Sequence, residues 1–273
     1  MKIAQGDQIA PQPAVRHRGG NLQARVLLEG TPGTSGNFQF SLSATGADFV
    51  SPRHRHNFEQ YRFTIEGEFD FGADGKMTQG MVGYFPEGVY YGPQSSANDT
   101  LAAVLQFGGV SGNGYLSAQQ VNDGMEALQT VGKFKNGVFR RREGPGRKNQ
   151  DAFEAIWEHV NGRRVAYPAS SYSGPALLNP SEFTWTPVNG APGVWEERLG
   201  RFSANRTGVG MLKLERGARF EAPGRGVYLV LSGGGTVADE PLRALTAFYV
   251  ESNELAALHA REEVRMLRCE LPA

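Results

Sequence analysis

The chain has 273 residues and five histidines, and two of the five, His54 and His56, stand two apart in PRHRHNFEQYRFTIEGEFDFG, which begins at Pro52. In a strand, residues i and i+2 project to the same face. The two imidazoles then share a face, and one metal ion between them can take a nitrogen from each. The same parity puts Phe58, Gln60, Arg62 and Thr64 on that face and turns Glu59 and Tyr61 away. Gln60 is therefore better placed than Glu59 to join the histidines, unless a bulge after His56 reverses the order. With Glu59 as the alternative third donor, the set becomes two histidines and one carboxylate, as in non-haem iron oxygenases. The plain alternative is a pair of partly exposed surface histidines, so the reading needs context.

Arg62 follows on the same face. An arginine aimed into an apolar interior needs a partner, and a substrate carboxylate would supply a bidentate one. A salt bridge to Glu66 or another acid, or a place at the rim, is the plainer account and the one expected. Phe58, Tyr84, Phe85, Tyr90 and Tyr91 could line a pocket for a flat or apolar substrate; aromatic side chains in a barrel also simply form core.

The surrounding elements are mostly strands. LQARVLLEG, NFQFSLSAT, QYRFTIEGEFDF, GMVGYFP and LAAVLQFGG are short, mostly rich in β-branched and aromatic residues, and cut by Gly, Pro, Asn or Asp. Glycine stands at 36 of 273, well above the usual ~7%, which implies many tight turns. The middle differs. Ser117–Val131 has helical spacing with Ser117 as N-cap, and Asp151–Val160 places Phe153, Ile156, Trp157 and Val160 on one face. GVFRRREGPGRKN between them reads as loop. Strand signals return from Phe202 onward, in VGMLKLERGARF, VYLVLSGGGTV, ALTAFYVES and VRMLRCEL. SGGG, from Ser232, reads as a hairpin turn.

Bulk composition excludes several classes. Lys+Arg and Asp+Glu are 28 each, so no polyanion-binding surface is expected, and Arg140-Arg141-Arg142 reads as solvated loop. Nucleic acid is not an expected partner. The one cysteine, Cys269, allows neither a disulfide framework nor a cysteine-based zinc site. MKIAQGDQIAPQPAVRHRGG lacks an apolar signal core, and no run approaches ~20 apolar residues, so the expectation is a cytoplasmic protein without a membrane span. His17 is expected to be exposed and His159 structural. No nucleophile elbow, P-loop or dinucleotide-binding glycine pattern appears.

With these residues in place, the chain resembles the cupin superfamily, whose motifs are G-x5-H-x-H-x3,4-E-x6-G and G-x5-P-x-G-x2-H-x3-N. His54-Arg55-His56 matches the H-x-H, and Gln60 takes the glutamate position, with six residues before Gly67. Gly80, Pro86 and Gly88 fit the second motif. Tyr91 stands at its histidine and Ser95 at its asparagine, and the leading glycine is out of register, with Gly46 nearest. In the second half, GARFEAPGRGVYLVLSG mimics the first motif with Phe220, Ala222 and Gly226 at the ligand positions, and Asn253 and Ala256 fall where Gly88 and Tyr91 do. His259 is off register.

The resemblance implies an all-β protein of two cupin-type jelly-roll barrels in tandem with a short helical connector. The divisions are residues 1–115, 116–170 and 171–273, and only the first barrel keeps a metal site. It implies a divalent transition metal (Fe, Mn, Ni, Cu or Zn) held by His54, His56, Gln60 and Tyr91, with Glu59 as alternative to Gln60. Tyr91, as ligand or proton donor, and Arg62 are the catalytic candidates. The expected activity is dioxygenase-like, on a small organic molecule, aromatic or carboxylate-bearing. A metal-dependent lyase or isomerase, and a non-catalytic ligand-binding or structural bicupin, are the alternatives. A homodimer is expected.

Overall fold

The structure is a computed structural model that describes residues 1–13, 22–34, 36–202 and 206–272. His17 lies outside the described residues. The fold is all-β with two units in tandem: Pro11–Leu177, and Met1–Ala10 together with Leu178–Ala273. No helix among the described residues is long and apolar enough to cross a membrane.

The unit that carries His54 has two antiparallel sheets. The larger runs Val82–Phe85, Phe58–Glu66, Thr100–Gly108, Phe38–Thr45, Leu22–Glu29 and Gln12–Pro13, in that order. The smaller joins Val50–Ser51, Gln94–Ser95, Glu68–Asp70 and Lys76–Thr78. Register sets which side chains share the interior. Gln106 pairs with both Gln60 and Gln39, and Val104 with both Arg62 and Ser41. Period-2 alternation therefore points one row of glutamines and one row holding Arg62 to the same side. On the opposite face, Tyr61 stacks obliquely against Tyr84 and Phe107, with centroids 5.4 and 5.6 Å apart.

Residues 116–170 belong to this unit rather than standing apart from it. Helix Ala118–Gln129 starts with a capping box: Ser117 Oγ accepts from Gln120 N at 3.2 Å, and Gln120 Oε1 accepts from Ser117 N at 2.9 Å. Helix Ala152–Asn161 is capped by Asp151 and buries Phe153, Ile156 and Trp157, while His159 is exposed. The two helices pack closely at Gly124, where an added Cβ would meet Val160 and Ile156 methyls at 2.9 and 3.0 Å. The stretch read as loop is loop over residues 142–148, but Val138–Arg141 and Asn149 at its ends belong to a three-stranded sheet of Gly132–Lys135, Val138–Arg141 and Asn149–Asp151. Its first turn is Asn136-Gly137 with φ of 50° and 76°, the left-handed pair that a tight hairpin requires. The arginine triplet is solvated at Arg140 and Arg142, but its first two residues are strand rather than loop. Arg140 and Arg141 are strand residues, and Arg142 donates to the carbonyls of Gln129 and Thr130 at the helix C-terminus.

In the other unit, Lys2–Gln5 forms an edge strand on Thr246–Val250, in register Lys2↔Tyr249 to Gln5↔Thr246. Met1–Ala10, assigned by sequence to the first barrel, thus belongs to the second unit. The sheet continues through Gly226–Ser232, Val264–Glu270, Thr207–Leu214, Val194–Phe202 and Thr186–Pro187. It faces a smaller sheet of Arg219–Pro223, Leu255–Ala260, Gly235–Val237 and Glu240–Leu242. The glycines after Ser232 carry the chain from one sheet to the other. The hairpin lies later, at Ala238-Asp239, between Gly235–Val237 and Glu240–Leu242. Cys269 is 1% exposed and burial raises its thiol pKa, so it is a packing residue.

Candidate metal and ligand site

The Pro11–Leu177 unit encloses a cavity of about 330 Å³. Its apolar wall includes Phe49, Phe58, Phe69 and Phe153, the last supplied by helix Ala152–Asn161. Its polar wall includes His54, His56, Gln60, Arg62, Gln94 and Gln106. Among the described residues of that wall, Arg62 is the one Lys, Arg, Asp or Glu.

The histidine rings converge. His54 Nε2 and His56 Nε2 lie 3.1 Å apart, and both residues are buried, at 5% and 7% exposure. His54 Nδ1 is 2.6 Å from the carbonyl oxygen of Pro52, which can only accept, so this nitrogen carries the proton. In the neutral ring, Nε2 then presents its lone pair to the cavity. His56 is held by stacking on Phe58, with centroids 4.3 Å apart, and by the edge of Phe153 at 5.9 Å.

Tyr91 and Arg62 complete the cluster. Tyr91 Oη lies 2.9 Å from His56 Nε2 and 3.4 Å from Gln60 Oε1. Arg62 donates to Tyr91 Oη at 2.8 Å, to Gln60 Oε1 through two nitrogens at 2.9 and 3.1 Å, and to Gln94 Oε1 at 2.7 Å. Its guanidinium also lies 4.6 Å from the Phe85 ring centroid. Arg62 thus meets neutral side chains of its own strand and of two neighbouring segments, in place of the expected bridge to Glu66.

The structure brings His54, His56, Gln60, Arg62 and Tyr91 together and separates Glu59 from them. Glu59 is 1% exposed on the other face of its strand, on the side of Tyr84. Burial raises the Tyr84 phenol pKa, and the Glu59 charge raises it further. The expected aromatic lining divides. Phe58 faces the cavity, Phe85 and Tyr91 pack in a core cluster, Tyr84 lies on the outer face and Tyr90 is 48% exposed. Gln94 was not singled out by sequence, and Phe153 was read only as part of a helix's apolar face. Gln94 sits one residue before Ser95, the family's asparagine position, and a residue-by-residue motif comparison passes over it.

No protein-family model matches the sequence, and no curated protein matches it. Solved structures do. A provisionally assigned dioxygenase from Nostoc punctiforme aligns with a TM-score of 0.65 at 12% identity, over 99% of this chain and 82% of that one. A variant of oxalate decarboxylase from Bacillus subtilis aligns with a TM-score of 0.58 at 13% identity, over 100% and 77%. The Ylba protein of E. coli gives 0.56 at 13%, over 98% and 89%. The chain folds as a bicupin.

In this bicupin the corresponding positions of the second barrel are occupied by small and aromatic packing residues. Ala222 pairs with Ala256 as His54 pairs with Tyr91, and both alanines are 0% exposed. Pairing makes Ala222 the counterpart of His54, where motif spacing assigns Phe220. Tyr228 stands two residues beyond Gly226, as Arg62 does beyond Gln60. It stacks on Phe248 at 4.7 Å and 8° and donates to Pro223 O at 2.9 Å. Such a stack adds ~0.5–1.5 kcal/mol to burial. Burial pushes the Tyr228 phenol up to about 12. His259 lies on the outer face, between buried Leu258 and Ala260.

Bicupin folds imply a metal, toward which the first barrel offers two imidazole donors. Metal–imidazole bonds are ~2.0–2.1 Å, so two cis nitrogens stand about 3 Å apart, as the Nε2 pair does. The Pro52 carbonyl supplies the outer hydrogen bond that ligating imidazoles need. Among the described residues no group of three or more His, Cys, Asp and Glu side chains converges. Further donors would come from Gln60 and Tyr91, which are neutral unless Tyr91 ionises.

Proposed function

We propose that this bicupin is a metal-dependent enzyme acting on a small organic molecule, aromatic or carboxylate-bearing, in its first barrel. The observation that carries the reading is the 3.1 Å approach of two buried imidazole nitrogens, one of them fixed in tautomer by the Pro52 carbonyl. His54, His56, Gln60 and Tyr91 would hold Fe, Mn, Ni, Cu or Zn. When bound, the metal would supply Lewis-acid polarisation of a substrate oxygen and, if redox-active, access to dioxygen chemistry. Arg62 would seat a carboxylate through its planar fork. Tyr91, adjacent to both His56 and Arg62, would hold or pass a proton at Oη. Phe49, Phe58, Phe69 and Phe153 would exclude water and accept an apolar ring. The cavity's size suits a small molecule.

The names of the structural neighbours agree with dioxygenase-like and decarboxylase-like chemistry alike. A lyase or isomerase reading is favoured by one specific observation: the donor set contains no carboxylate. With the enzyme reading goes that of a cytoplasmic homodimer, tested by sedimentation.

Elemental analysis after loading with each of the five metals tests the proposal. The native chain should retain stoichiometric metal and His54→Ala/His56→Ala none. A folded native protein that retains none of the metals under any loading condition overturns it.

A further inference from the structure

Four of the glutamines that line the cavity have one end of the carboxamide engaged by the protein and the other end unpaired. Gln60 Oε1 and Gln94 Oε1 accept from Arg62, which can only donate, so the free prong of each is Nε2. Gln106 Oε1 accepts from Tyr115 Oη at 2.7 Å, which leaves its Nε2 as well. Gln39 is turned the other way. Its Nε2 donates to the Glu29 carboxylate at 3.2 Å, so the free prong is Oε1. Among the described residues nothing accepts from Nε2 of Gln60, Gln94 or Gln106, and nothing donates to Gln39 Oε1. Gln60 and Gln94 are 2% and 5% exposed, and amide groups buried to that degree need partners.

Strand register gathers these groups. Gln39, Gln106 and Gln60 pair across the neighbouring strands Phe38–Thr45, Thr100–Gly108 and Phe58–Glu66. Gln94 meets Gln60 through Arg62. Ser41 and Ser43 follow Gln39 at two-residue steps on the same face, with hydroxyl oxygens 3.4 Å apart. The wall thus offers unpaired donors, an unpaired acceptor and two hydroxyls, and no acid among the described residues to meet a cation. A carbonyl or ether oxygen would satisfy the amide N–H groups alone. A hydroxyl accepts from an amide N–H and donates to Gln39 Oε1 or a serine oxygen. Phe58 and Phe153 supply apolar surface for the C–H face of a ring.

We infer that this wall reads hydroxyl groups, and that the ligand is a ring carrying several of them, of the monosaccharide or cyclitol class. The inference rests on the proposal that this cavity receives the substrate and states what the substrate carries besides a ring or a carboxylate. It needs no metal.

The test is calorimetric titration of the full chain, without added metal, with myo-inositol, D-glucose, D-galactose and D-mannose, and with cyclohexanol as the ring bearing a single hydroxyl. At least one of the four polyols should bind roughly tenfold or more tightly than cyclohexanol, the scale of one or two well-made hydrogen bonds. The four should differ among themselves, because the donor and acceptor positions are fixed. In Gln39→Met/Gln106→Met the preference over cyclohexanol should fall by roughly tenfold while cyclohexanol binds as before. Polyols that bind no more tightly than cyclohexanol overturn the inference, and benzoate binding to the same chain would leave the cavity reading standing. Binding of none of the polyols, cyclohexanol or benzoate overturns both. A preference undiminished in the folded double variant overturns the assignment to these glutamines. If circular dichroism shows the double variant unfolded, Gln39→Met alone takes its place.

Discussion

His54 and Tyr91 face each other across an isolated β-bridge, with His54 N donating to Tyr91 O at 3.1 Å and Tyr91 N donating to His54 O at 2.9 Å. The backbone thus fixes two candidate donors from separate segments, independently of what their side chains do. A second anchor follows: Gly88 N donates to His56 O at 2.8 Å. Substitutions at Tyr91 should therefore alter the cluster without moving the strand that carries it.

Tyr91→Phe keeps the ring in its core cluster and removes only Oη. His56 and Arg62 each lose a contact. Denaturant unfolding should show a loss of about 1–2 kcal/mol, the scale of one buried hydrogen-bonding group. Metal affinity, read by titration, should fall. Unchanged affinity would remove Tyr91 from the donor set.

Gln60→Glu and Glu59→Gln are opposite changes one residue apart. The first adds a carboxylate inside the cavity, beside Tyr91 and Arg62. The second removes a charge from the far face, next to Tyr84. Metal affinity should rise by roughly tenfold, about 1.4 kcal/mol, in Gln60→Glu, and stay unchanged in Glu59→Gln. Equilibrium dialysis reads both.

Glu87 gives a pH dependence of stability. It is 3% exposed, and burial raises its carboxyl pKa above the usual 4.5, against the lowering effect of hydrogen bonds from Ser111 N at 3.0 Å and Ser111 Oγ. The folded state then keeps this proton to higher pH than the unfolded chain does. Its contribution is full below the unfolded pKa and is lost as pH rises through the folded one. Glu87→Gln lacks that loss. Thermal melts should show the variant's midpoint rising relative to the native chain's as pH is raised above the usual 4.5. A constant difference would contradict the shift.

Phe153→Ala should be costly although the side chain borders a cavity. Phe153 is 7% exposed and packs edge-on against Phe58 at 5.2 Å, within a cluster that includes Trp157 and Phe139. Loss of about 3 kcal/mol is expected from denaturant unfolding. The His56 ring loses its edge contact as well, so metal affinity should fall in parallel.

Much of this was readable from local spacing. Strand parity put Gln60 and Arg62 on the side of His54 and His56 and turned Glu59 away, because side-chain direction in a strand depends only on position. Ser117 announced its helix for the same reason, since a cap acts within three residues, and the apolar face of Phe153, Ile156, Trp157 and Val160 announced the other. What parity could not supply was the partner. Arg62 had Glu66 as its nearest obvious acid, yet it meets Gln94, 32 residues away, because the barrel closes over it. Phe153 read as helix core, and only packing reveals that the helix turns it toward His56. Asn136-Gly137 was a legible hairpin signal that the glycine-rich, basic stretch after it obscured. Lys2–Gln5 carried no sign of its sheet, since its pairing depends on residues far along the chain.

That last strand has a consequence for how the molecule is made. Gln5 and Thr246, joined by a hydrogen bond at 2.7 Å, are 241 residues apart. Ribosomes add roughly 5–20 residues per second, so Gln5 waits on the order of ten to fifty seconds for Thr246 to be synthesised. During that interval the Pro11–Leu177 unit can close, while an exposed strand edge travels with the nascent polypeptide as a site for chaperones to shield.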